Sequence, residues 1–303
     1  MHTPGSESGK SMKPASLRRA GLSLALAALA CAAMAAAPAQ AQDKPQDGAQ
    51  TGVLRVCQDP NNLPFSNRAE QGLENRIAAL FAKKLGWKLE HTWYPQRMGF
   101  IRNTLRAKVP DTDQYKCDLV TGVATGFELG LTTKPYYRST YAMAYLKGHG
   151  LDSVQTPDDL LKVDPAKLHS LRIGAFAKSP AVDWLLKNGL IDQMVSYQHQ
   201  TGDPEQYPGQ VIDRDLVRGT VDVAIAWGPI VGYFARQSAT PIAVVPFRPD
   251  ATGLRYDFSI AMAVRHGDKE LRDRINTLID SSRPEIQALL DEYGVPSLPL
   301  EKD

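Results

Sequence analysis

Six short stretches carry residues suited to gripping a ligand. Asp59, Asn61, Asn62 and Phe65 share one loop rich in Asp, Asn and Pro. A carboxylate and two carboxamides offer hydrogen bonds there, although the same residue types also close turns on themselves. Trp93, Gln96 and Arg97 form a second group. An indole is a good anchor for an aromatic ligand or a protein partner, and a half-buried packing Trp is an equal alternative. Gly122 and Thr125 lie in the glycine-bounded stretch 122–126, where a ligand can come close to bare backbone. Tyr136 opens a long extended segment. Ser179, followed by Pro180, starts a helix whose free N–H groups suit an anion, or simply caps it. Trp227 and Gly228 end a strand late in the chain.

Reaction chemistry is not legible. G-x-S-x-G, H-E-x-x-H and the dinucleotide G-x-G-x-x-G are all missing. His91, His149, His169, His199 and His266 are scattered without metal-ligand spacing. Asp111 and Asp113 begin like a calcium loop, but Tyr115 and Lys116 occupy places where a ligand and a glycine belong. The run from Gly5 to Ser11 imitates a phosphate loop with one residue too few between its glycines. The sequence points to recognition, with no metal and no cofactor.

The ends of the chain explain its charge. Of 35 Lys+Arg and 33 Asp+Glu, four cations and one acid precede residue 42. Removing them turns +2 into −1, which is not the field of a general nucleic-acid binder. Basic residues from Lys13 to Arg19, an Ala- and Leu-rich run from Gly21 to Ala37 and the small-x-small site Ala39-Gln40-Ala41 read as a signal peptide over 1–41, with an extension at 1–11. Arg18-Arg19 leaves twin-arginine export open, and Cys31 is poorly placed for lipid attachment. Residues 42–52 form a polar lead-in. No later apolar run is long enough to span a bilayer, so the mature chain is expected to be periplasmic and free of membrane spans. Cys57 and Cys117 then remain, and an exported pair suggests one disulfide. Two separate buried thiols are the alternative: Cys57 ends its expected strand while Cys117 starts another, which sets a geometric obstacle.

The elements that must position these groups alternate. Strands are expected at 53–57, 88–93 and 118–122, with helices after the first two. An extended segment follows at 136–146. A second strand–helix series runs from 171 to 245, and a strand at 258–264 leads into two closing helices. Two such series argue for two α/β lobes with largely parallel sheets. Ligands then sit beyond the carboxyl ends of the strands, in a cleft between lobes that close by hinge motion.

The segment 57–66 (Cys-Gln-Asp-Pro-Asn-Asn-Leu-Pro-Phe-Ser), 93–97 (Trp-Tyr-Pro-Gln-Arg), 100–104 (Phe-Ile-Arg-Asn-Thr), Cys117-Asp118 and 131–140 (Leu-Thr-Thr-Lys-Pro-Tyr-Tyr-Arg-Ser-Thr) together resemble the quinoprotein-dehydrogenase-associated binding proteins of the MoxJ/XoxJ type. These lie within the family 3 extracellular solute-binding superfamily. The resemblance spans roughly 53–295. It implies a two-lobed type II periplasmic binding protein fold with a central cleft and a hinge of two extended crossovers. Lobe 1 is then 53–145 with 257–303, and lobe 2 is 146–256. It further implies an accessory of a PQQ-dependent alcohol dehydrogenase, typically methanol dehydrogenase, with that enzyme as partner. A receptor delivering a small solute to an ABC importer is the alternative, and an enzyme on the same fold is the remoter one.

One departure from the wider superfamily bears on the ligand. Amino-acid binders place an Arg shortly after the third strand and an acid after a second-lobe strand. Here those places read Ala124 to Gly130, without Arg, and Ala226-Trp227-Gly228-Pro229. Losing one partner of a buried charged pair commonly costs ~2–5 kcal/mol, so tight binding of free amino acids is not expected unless Arg97 or Arg138 substitutes.

Overall fold

Alternating burial along Val53–Gln58, with Leu54 and Val56 inward, makes the first strand, β1. A computed structural model describes residues 52–198, 203, 205–248 and 253–300. The expected signal peptide at 1–41, its extension at 1–11, residues 42–51 of the lead-in and His199 lie outside the described residues. After β1 come a small hairpin, β2 (Asn61–Asn62) and β3 (Ser66–Asn67), then α1 (Leu73–Leu85), β4 (Lys88–Trp93), α2 (Phe100–Asn103), β5 (Leu119–Ala124), β6 (Leu131–Thr132) and β7 (Tyr137–Leu146). Leu73, Ile77, Ala78 and Phe81 give α1 its buried face, and Gly86 stops it in the left-handed region at φ 67°. Asn75 ties the start of that helix down, accepting from Gly72 N–H at 3.0 Å and donating to Gln58 Oε1 at 2.7 Å.

The second series is a 3-10 turn at Pro157–Lys162, then α3 (Pro165–Ser170), β8 (Ile173–Phe176), α4 (Pro180–Lys187), β9 (Met194–Tyr197), a π-helical turn at Val211–Leu216, β10 (Val223–Trp227), α5 (Gly228–Gln237) and β11 (Ile242–Pro246). The chain returns through β12 (Asp257–Val264), α6 (Lys269–Ser281), α7 (Arg283–Glu292) and β13 (Ser297–Leu298). Among the described residues no helix is long and apolar enough to cross a membrane.

The architecture is mixed α/β. The strands form one curled sheet in the order β4-β1-β5-β12-β7-β10-β8-β9, with β6 on β12 and with β11 and β13 on β7. β1, β4 and β5 are parallel, as are β8, β9 and β10. β12 and β7 run antiparallel to their neighbours. The expected two lobes with largely parallel sheets are present, and their sheets are joined through β7. Extended crossovers carry backbone N–H and C=O groups that must be paired. β7 pairs them by changing partners: Tyr137–Thr140 lie on β12, and from Tyr141 on it lies between β10 and β11.

Apolar packing falls into separate bodies along this sheet. One joins Leu54, Phe81, Met262, Ile275 and Leu290 beneath α1, α6 and α7. Another gathers Met143, Ile173, Trp184, Leu185 and Ile225. A third lies on the opposite face of the second series, around Val211, Ala224, Val231 and Phe234. Cys57 and Cys117 are bonded, with their Cα atoms 5.5 Å apart. The geometric obstacle vanishes because Cys117 precedes β5 and is not held to that strand's register.

Candidate functional site

The two series face each other across a cavity of about 640 Å³ beyond the carboxyl ends of β1, β5 and β10. Asp59 reaches its wall but spends its carboxylate on shaping the loops: Oδ1 accepts from Asn61 N–H at 2.8 Å and Oδ2 from Gln96 N–H at 2.5 Å. Asn61 and Asn62 form β2, and Asn62 donates to Gln96 Oε1 at 2.9 Å. Phe65 lines the cavity and also packs on the apolar body of the second series. Gln96, Arg97, Gly122 and Trp227 line it as well.

Trp93, Thr125, Tyr136, Ser179 and Gly228 do not line it. Trp93 stacks on His91 with ring centroids 4.7 Å apart, because residues two apart share one face of the edge strand β4. Thr125 is exposed, its N–H donated to Ser259 O at 3.0 Å. Tyr136 stands one layer behind the wall, accepting from Gly122 N–H at 3.1 Å. Ser179 is a buried helix-start residue. Gly228 is pressed against Thr140 O and Pro296, where a Cβ would come within 2.2 and 2.4 Å.

Several wall residues escaped the sequence reading. Tyr137 and Tyr141 lie on one face of β7 four residues apart, a period-two signal that was available. Phe176 and Tyr197 end β8 and β9. Arg214 comes from the π-helical turn, and its guanidinium is fixed by Asp215, with Nε to Oδ1 at 2.8 Å and Nη2 to Oδ2 at 3.1 Å. Tyr197 donates to the same Asp215 at 2.7 Å. Arg138 takes no part, since Asp257 holds its Nε at 2.7 Å.

Glu74 is the most consequential omission. It is 2% exposed, the second residue of α1, and lines the cavity. Its Oε1 accepts from the Tyr136 hydroxyl at 2.5 Å, while Oε2 has no hydrogen bond. Burial pushes its carboxyl up to about 7, against the opposing pull of the Tyr136 and Thr121 hydroxyls.

Protein MoxJ of Methylorubrum extorquens is 31% identical over 285 residues, covering 87% of this chain and 90% of that one. The chain belongs to the MoxJ/XoxJ family. MoxJ of Paracoccus denitrificans, a second relative, is 27% identical over 83% of the chain and 91% of its own length. The crystal structure of the periplasmic binding protein XoxJ from Methylobacterium extorquens AM1 superposes with a TM-score of 0.64 at 34% identity, covering 82% of this chain and all of that one. An ancestral cationic amino-acid binding protein shares the fold alone, with a TM-score of 0.58 at 19% identity over 80% of this chain and 96% of that one. No family model matches the chain. Within the family, the two-lobed binding-protein fold agrees with the single curled sheet seen here.

Proposed function

We propose that the chain is a periplasmic accessory of a PQQ-dependent alcohol dehydrogenase, and that its cleft takes a segment of the dehydrogenase polypeptide to aid that enzyme's maturation or activity. The observation carrying this reading is the composition of the cavity wall. Eight aromatic side chains and seven carboxamides stand among the described lining residues. Carboxamides both donate and accept, which suits the alternating N–H and C=O groups of an extended peptide. Aromatic faces cover its side chains at little entropic cost.

Membership of the MoxJ/XoxJ family points to the dehydrogenase as partner, and the relative described as a periplasmic binding protein supports export. In this reading 53–145 with 257–303 grip from one side and 146–256 from the other. The reading assigns no reaction and no cofactor to the chain.

The test is co-purification of the tagged, exported chain from cells with and without the dehydrogenase. The dehydrogenase polypeptide, cofactor-free or loaded, is expected to accompany it. Failure of both forms to associate would overturn the reading.

A further inference from the structure

Charge around the cavity is lopsided. Among the described residues its wall carries three carboxylates, Asp59, Glu74 and Asp203, against two guanidinium groups, Arg97 and Arg214. Arg214 is already matched by Asp215, which is 8% exposed and grips it at two nitrogens. By formal count the wall holds one more carboxylate than guanidinium. Its walls also present the rings of Tyr137, Tyr141 and Trp227, and such faces attract cations.

Glu74 Oε2 is a buried wall oxygen with no hydrogen bond, although the Thr121 hydroxyl lies close enough to pull on the carboxyl. The groups facing it are the phenols of Tyr136 and Tyr137, the Thr121 hydroxyl and the Gly122 backbone. Both phenols would add negative charge if they ionised, and none of these groups supplies a positive one. We infer that the cleft selects a positively charged group, an ammonium or guanidinium, seated against the Glu74 wall. The group is carried either on a lysine or arginine of the captured polypeptide or on a small organic amine, and the first source rests on the function proposed above. A carboxyl that burial holds near 7 is driven to its ionised form when a cation arrives, so binding expels a proton near neutral pH.

The experiment is calorimetry on the exported chain at pH 7 in two buffers of different protonation enthalpy. The probes are agmatine, acetyl-Gly-Lys-Gly-amide and its norleucine counterpart. At least one cationic probe is expected to bind tenfold or more tighter than the norleucine peptide, with proton release. Agmatine alone binding identifies the small-amine source, and the lysine peptide alone identifies the polypeptide source. Glu74→Gln keeps an oxygen for Tyr136 and is expected to melt as a folded protein while losing at least tenfold in affinity together with the proton release. The proton count on the natural chain does not depend on how that variant folds.

Equal affinity for the norleucine peptide, binding without proton release, no binding of either cation, or unchanged affinity in a folded Glu74→Gln each overturns the inference. Capture of the dehydrogenase while both cations fail sinks the inference alone. Cation binding without dehydrogenase capture sinks the function proposed above and leaves this inference standing.

Discussion

Glu74 shows how little a residue's type says about its task. In the sequence it is an ordinary acid in the first turn of a helix, where carboxylates are favoured by the helix dipole. In the fold it is walled in, and its carboxyl rises from 4.5 to about 7. A raised carboxyl holds its proton more tightly folded than unfolded. Its contribution to stability is therefore complete below about pH 4.5 and is lost as pH climbs through about 7. That loss is on the order of 3 kcal/mol. Denaturant midpoints at pH 5 and pH 8 check it. Glu74→Gln is expected to show a smaller decline than the natural chain over that interval and to be the more stable of the two at pH 8. Parallel slopes for the two proteins would rule out this account. His91 answers burial in the opposite direction: burial pushes its imidazole down, while Glu70 beside it pulls the other way.

At the scale of elements, α5 has two working faces. Ile230 looks into the cavity, whereas Gly228, Gly232 and Arg236, spaced four apart, meet the C-terminal segment. A Cβ on Gly232 would come within 1.9 Å of Gly294 O. Tyr233 stacks on Tyr293 at 5.5 Å, and Ser139 donates to Pro296 O at 2.9 Å. β13 then joins β7 directly at Ser139 and Arg138. This clamp braces the side of α5 turned away from the cavity. Gly232→Ala is expected to cost about 1–3 kcal/mol through overpacking, read as a lowered denaturant midpoint. Gly267→Ala, where nothing lies within 4 Å, is the control and is expected to stay within ~0.5 kcal/mol. An equal response at both glycines would remove the clamp from the account.

For the whole molecule, the Cys57–Cys117 bond closes a loop across 60 residues that contains α1, β4 and α2. In the chain-entropy model such a closure contributes roughly 4 kcal/mol by restricting the unfolded chain. The Cys57→Ser/Cys117→Ser double variant is expected to unfold at clearly lower denaturant. An unchanged midpoint would show that the unfolded chain is not constrained by the bond.

Much of this chain was readable from its residues alone. Period-2 and period-3.6 patterns located β1, α1, β4 and β12, because burial on one face leaves a local imprint. The family followed from blocks such as 57–66, and Asp59, Asn61, Asn62, Phe65, Gln96 and Arg97 line the cavity because loops after parallel strands gather at that edge. Tertiary structure alone decided the rest: that β7 serves two neighbourhoods, that Trp93 stacks on His91 away from the cavity, and that Glu74, Tyr141 and Arg214 share one wall. Pattern along a chain records which face of an element is covered. It does not record what covers that face, and the charge balance of a cleft is set by groups that meet only when distant segments fold together.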